Sequence, residues 1–173
     1  MERANAVTFL GNPLTLVGNP VSPGDPAPDA TVLKQDLTPV RIHDYKGQTL
    51  LISVAPSLDT SVCSAQTKRF NEEASRLPDS VKVLTISMDL PFAQKRFCGA
   101  EGIDRIEVLS DHREGAFGQA YGVLVKELRI LSRAVFVIDP QGIVRYAEYV
   151  PEITQHPNYD AALEAVRAVV GQG

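Results

Sequence analysis

Cys63 and Cys98 are the two cysteines of this 173-residue chain. A thiolate is a strong nucleophile, so they are the first residues to weigh for chemistry. Cys63 closes the stretch Pro56-Ser57-Leu58-Asp59-Thr60-Ser61-Val62-Cys63. An apolar, strand-like run, Leu50 to Ala55, precedes it, and a helix-like segment over 61–77 begins at Ser61. The order of these pieces predicts a thiol in the first turn of a helix, just after a buried strand. Unpaired N–H groups and the positive end of the helix dipole stabilise an anion there. Taken alone, two cysteines in an α/β domain are most often inert core residues.

The spacing of the two cysteines excludes a C-x-x-C redox pair. It also lacks the paired close spacings of a zinc site, which only His43, His112 and His156 could complete. No metal, haem or flavin is expected. Cys98 stands near a predicted helix end beside Gly99 and Gly102. It also fits a small core residue on the face of Phe92 or Phe97. Thr60 or Ser61 can cap the helix that holds Cys63. Pro56 fits a proline on the approach to a helix. Arg133 heads an apolar strand, where a charged residue is usually solvated at a sheet edge.

Several elements must position these residues. A hairpin is predicted over 6–17, turning at Gly11-Asn12-Pro13. Prolines 20, 23, 26 and 28 make the next segment an extended connector. Short strands follow near 31–33 and 40–42, with a turn at Asp44 to Gly47. Residues 49–55 and 81–88 read as strands buried on both faces. The 61–77 helix carries Cys63, Phe70, Ala74 and Leu77 on one face. Pro91 opens a second helix that stops at Gly99 or Gly102. A short strand at 106–109, a short helix over 114–121, strands at 134–139 and 143–150 around Asp139-Pro140-Gln141-Gly142, and a last helix near 158–170 complete the chain. Crossover helices between strands imply parallel pairs, and the late hairpin adds antiparallel ones. The expected fold is α/β, with a central mixed sheet, helices on both faces and an added N-terminal β-hairpin.

Length predicts one domain over 1–173. The net charge of −4 weighs against nucleic acid or an anionic membrane as partner. Turn residues interrupt the first twenty positions, so no signal-peptide core is visible, and no run is apolar enough to span a membrane. A cytoplasmic location is expected, where a disulfide is more often transient than structural.

Pro56 to Cys63 also matches P-x-x-x-T-x-x-C, the peroxiredoxin pattern. Asp89-Leu90-Pro91-Phe92-Ala93-Gln94-Lys95-Arg96-Phe97-Cys98-Gly99-Ala100-Glu101-Gly102 resembles the resolving-cysteine segment of the bacterial thiol peroxidases, an atypical two-cysteine branch. Ser132 to Asp139 is similar to their arginine-bearing segment, and Phe9 to Leu16 to their N-terminal stretch. The resemblance implies a thioredoxin-like fold and hydrogen peroxide and organic hydroperoxides as substrates. It implies thioredoxin as reductant and a homodimer. It makes Cys63 the peroxidatic nucleophile and Cys98 the resolving thiol, joined in an intramolecular disulfide after a sulfenic acid forms. It sets Arg133 beside the sulfur and has Pro56 shield the thiolate. Thr60, three residues before Cys63, can turn its hydroxyl towards the sulfur and orient the peroxide. Leu90 and Phe92 are candidates for a pocket wall. Two rivals use the same residues: a peroxide sensor that passes its oxidation to a protein partner, and a thioredoxin-like binding domain with inert thiols.

Overall fold

The computed structural model describes residues 1–172. In chain order its elements are β1 (Glu2–Phe9), β2 (Asn12–Val17), β3 (Thr31–Leu33), β4 (Pro39–Arg41), a 3-10 turn (Ile42–Tyr45), β5 (Thr49–Val54), α1 (Ser61–Ala74), β6 (Val81–Ser87), α2 (Pro91–Glu101), β7 (Glu107–Ser110), α3 (Ala116–Ala120), β8 (Leu124–Val125), β9 (Ala134–Ile138), β10 (Val144–Tyr149) and α4 (Tyr159–Gln172). Seven strands form one sheet in the order β10-β9-β5-β6-β7-β3-β4. β5, β6 and β7 are parallel, and the remaining neighbours are antiparallel. This is the thioredoxin-like α/β architecture, with a mixed sheet and an N-terminal antiparallel pair.

β5 is central, and all six of its residues are buried. Its side chains alternate between two cores, as the period of a strand requires. Leu50, Ile52 and Val54 join Phe117 and Tyr121 on the side of α3. Leu51 joins Phe70 of α1 and Leu163 and Val166 of α4 on the other side. Each such buried side chain contributes roughly 1.5–3 kcal/mol. The two cores therefore clamp β5 in place, and with it the chain that leaves β5 towards Cys63.

Several boundaries differ from those predicted. The first hairpin turns at Leu10 and Gly11, at φ 52° and 82°, and Pro13 lies within β2 opposite Thr8. A two-residue turn with both φ values positive matches the twist of paired strands better than a turn at Asn12-Pro13. α1 stops at Ala74, because the Ser75 hydroxyl donates to the Glu72 carbonyl at 2.6 Å and tighter turns follow to Leu77. β8 is too short for any periodicity to reveal. It extends the first hairpin to three strands through Leu16–Val125 and Val17–Leu124 pairing.

Candidate active site

Cys63 is the third residue of α1 and is fully buried. Thr60 caps the helix: its Oγ1 accepts from the Cys63 N–H at 3.4 Å and donates to the Ser57 carbonyl at 3.1 Å. The capping position sets the turn that carries the sulfur. The hydroxyl is committed to the backbone here. Pro56 directly follows buried Ala55 and is itself buried.

The sheet explains how position 133 reaches the start of α1. β5 pairs antiparallel with β9, with Val54 opposite Ala134. The start of β9 therefore lies beside the end of β5, where the Pro56 loop begins. Arg133, immediately before β9, is only 2% exposed. Its Nε donates to the Ile153 carbonyl at 2.9 Å and its Nη1 to Gln66 Oε1 at 2.7 Å. It is thus buried in the interior, and not solvated at a sheet edge.

Gln66 sits one turn after Cys63 on α1 and is fully buried. Its amide donates to Ser53 Oγ at 2.6 Å and to the Val54 carbonyl at 3.3 Å. One neutral side chain thus joins α1, the end of β5 and Arg133. The sequence pattern did not mark it, because a glutamine in a helix rich in charge reads as a solvated residue.

A pocket of about 160 Å³ opens over the α1 N-terminus, lined by Phe9, Pro56, Thr60, Ser61, Val62, Arg133, Ile153 and Thr154. Its walls bring together the first hairpin, the Cys63 loop and the segment after β10. Bridging between Thr8 and Glu152 and a bond from Ile153 N–H to the Thr8 carbonyl at 2.8 Å hold the hairpin there. Phe9 and Ile153 were not singled out in the sequence, since neither lies near a cysteine along the chain. Leu90 and Phe92 are 50% and 67% exposed and stand outside this wall. Arg133 and Cys63 both act electrostatically on Tyr159: burial raises its phenol pKa, Arg133 and Arg69 lower it, and Cys63 raises it.

Cys98 lies in the last turn of α2 and is 9% exposed. It packs with Leu58, Ile103 and Val108. Gln35 Nε2 donates to its sulfur at 3.4 Å. Burial raises its pKa, and the Gln35 bond opposes that. The carbonyl of Cys98 accepts from Gly102 N–H and from Ile103 N–H, so it is tied into the helix end. Gly102 has φ 66°, which a glycine adopts without strain. Both cysteines are free thiols. Among the described residues, no cluster of His, Cys, Asp and Glu could hold a metal ion, and no helix is long and apolar enough to cross a membrane.

A buried thiol at a helix start, a buried guanidinium and a small apolar pocket above them are the parts of a cysteine-based redox site. The family described as Redoxin matches residues 22–163. The thiol peroxidase of Bacillus subtilis is 59% identical over 164 residues, which cover 95% of this chain and 98% of the relative. That of Listeria innocua is 58% identical over 161 residues, covering 93% and 97%. A peroxiredoxin-like protein from Aquifex aeolicus superimposes with a TM-score of 0.89 at 44% identity, over 96% of this chain and 98% of its own. A thiol peroxidase from Chromobacterium violaceum shares the fold, with a TM-score of 0.84 at 21% identity, over 96% of this chain and 98% of its own. The chain belongs to the redoxin family, and within it to the thiol peroxidases.

Proposed function

We propose that this peroxidase, acting as a single-domain unit, reduces hydrogen peroxide and organic hydroperoxides through Cys63 and restores itself through Cys98. The Cys63 thiolate attacks one peroxide oxygen along the O–O axis. The S–O bond forms as the O–O bond breaks, and the leaving oxygen departs as water or an alcohol after taking a proton. Sulfur is oxidised to the sulfenic acid. Cys98 then attacks that sulfur; a disulfide forms and water leaves. A dithiol protein of the thioredoxin type reduces the disulfide and carries away its own.

The observation that carries this reading is the buried Arg133 guanidinium at the wall of the pocket above the Cys63 turn. A fixed cation with several donors binds a peroxide and receives charge on the leaving oxygen. Thr60 holds the Cys63 turn in the resting state and can redirect its hydroxyl to an incoming peroxide. Pro56 brings no N–H donor to the loop and keeps water from the thiolate. The apolar walls, Phe9 and Ile153, suit the carbon chain of an organic hydroperoxide. The working form is a cytoplasmic homodimer.

Turnover tests the reading. With thioredoxin, thioredoxin reductase and NADPH, hydrogen peroxide should be consumed catalytically, one NADPH for each peroxide. Stoichiometric oxidation without cycling, with any thioredoxin-type dithiol, would reject thioredoxin-type recycling and leave a sensor.

A further inference from the structure

Asp89 lies between β6 and α2 and uses its carboxylate as a three-way tie. Oδ1 accepts from Ser57 Oγ at 2.8 Å. Oδ2 accepts from the Leu58 N–H at 2.8 Å and from Ser87 Oγ at 2.7 Å. Ser57 and Leu58 belong to the loop that leads into the Cys63 turn. On the other side, Ser87 Oγ accepts from Nε2 of Gln94 at 3.0 Å, and Gln94 is on the helix that carries Cys98. The Asp89 carbonyl accepts from Ser110 Oγ at 2.6 Å, which anchors the tie to β7. Leu58, fixed by this carboxylate, is 4% exposed and packs with Cys98. The Cys63 loop and the Cys98 helix are therefore fastened to each other through one charged side chain. Hydrogen bonds to an ionised acceptor are about twice as strong as neutral ones.

We propose that Asp89 is a positioning residue that clamps the 57–58 loop against the Cys98 helix, and that this clamp sets how oxidised Cys63 divides between two fates. The inference rests on the peroxidase reading above. Cys63 is fully buried in the first turn of α1 and Cys98 packs against Leu58; in this proposal, closure waits on loosening of the Cys63 turn and the end of α2. While the clamp holds, Leu58 stays packed on Cys98 and closure waits. During that wait, a sulfenate that meets a second peroxide gains an oxygen. The sulfinate forms, the O–O bond breaks and water or alcohol leaves. A tighter clamp thus favours the sulfinate at high peroxide, and a looser one favours the disulfide.

Asp89→Asn keeps the size but removes the charge and one acceptor, so the bonds to the loop become neutral and one of the three donors must reverse or lose its partner. Rapid quenching with mass analysis after one equivalent of hydrogen peroxide should show disulfide closure at least about threefold faster than in wild type. The peroxide concentration giving half sulfinate should rise by a similar factor. A purely structural role would lower the melting temperature and leave this partition alone. Ser57→Ala, which removes the Oδ1 bond and the exposed acceptor of the Asp59 N–H but leaves both Oδ2 bonds, should move both readouts the same way by less, and it carries the test if the Asn variant does not fold. Unchanged closure and unchanged half-sulfinate concentration in a folded variant would overturn the clamp. Wild type that forms no Cys63–Cys98 disulfide would instead overturn the two-cysteine reading on which it rests.

Discussion

Arg133 and Gln66 meet at 2.7 Å in the buried floor of the site, with the guanidinium donating to a neutral amide oxygen. A buried arginine is usually held by a carboxylate. The partners found for Arg133 are Gln66 and the Ile153 carbonyl, both uncharged. Its positive charge is therefore not cancelled by the groups that hold it in position, and remains available to an anion in the pocket.

Gln66→Glu tests this directly. A carboxylate in the same place would keep the bond from Arg133 and neutralise the charge, while losing the amide's donation to the Val54 carbonyl. The second-order rate with hydrogen peroxide at pH 7 should fall about tenfold or more, since 1.4 kcal/mol of lost charge stabilisation is already a factor of ten. Stopped-flow competition kinetics would measure it. A rate within twofold of wild type would show that the Arg133 charge does not matter to the step.

Thr60 separates capping from chemistry. Thr60→Val removes the Oγ1 acceptor of the Cys63 N–H and should cost about 1 kcal/mol of stability. For a domain of this size that is a fall of roughly 2–4 °C in Tm. Thr60→Ser keeps the oxygen and should melt close to wild type. Peroxidase activity should drop by at least about a hundredfold in the valine variant, beyond what capping explains. Calorimetry and turnover assays on both variants would show it.

The pocket walls make a prediction about substrate. Phe9→Ala removes an apolar wall. The KM for cumene hydroperoxide should rise by about tenfold, in line with a lost contact of 1–3 kcal/mol. The constants for hydrogen peroxide, which has no carbon chain to hold, should stay within about twofold.

Cys98 gives a pH dependence with a definite sign. Burial raises its pKa from the ordinary value of 9.0, so the folded state favours the protonated thiol. That contribution is fully present below the unfolded value and is lost as pH rises through the folded one. Reduced wild-type protein should therefore lose stability above about pH 9 more steeply than Cys98→Ala. Urea denaturation at pH 8 and pH 10 with excess reductant would compare the two.

The local signals and the long-range contacts differ in how far they were readable. The Pro56–Cys63 stretch lies between a buried strand and an amphipathic helix, so its local structure followed from periodicity and capping chemistry. Cys98 beside Gly99 and Gly102 likewise fell at a helix end. Arg133 is different: its arrival depends on the antiparallel pairing of β5 with β9, which joins positions that no local pattern connects. Only the motif resemblance led to it. Gln66 and Asp89 were passed over because a polar side chain in a helix or turn is usually solvated, and only the folded chain surrounds these two with partners. Phe9 and Ile153 became walls through packing between the first hairpin and the segment after β10.

The central claim is that Cys63 reacts first and Cys98 completes the disulfide. Titrating the reduced protein with one equivalent of hydrogen peroxide, then counting thiols and weighing the products, tests it most directly. Wild type should lose two thiols and gain one internal disulfide. Cys98→Ser should stop at a sulfenic acid on Cys63, and Cys63→Ser should barely react. A fast-reacting Cys98 beside an inert Cys63 would contradict it.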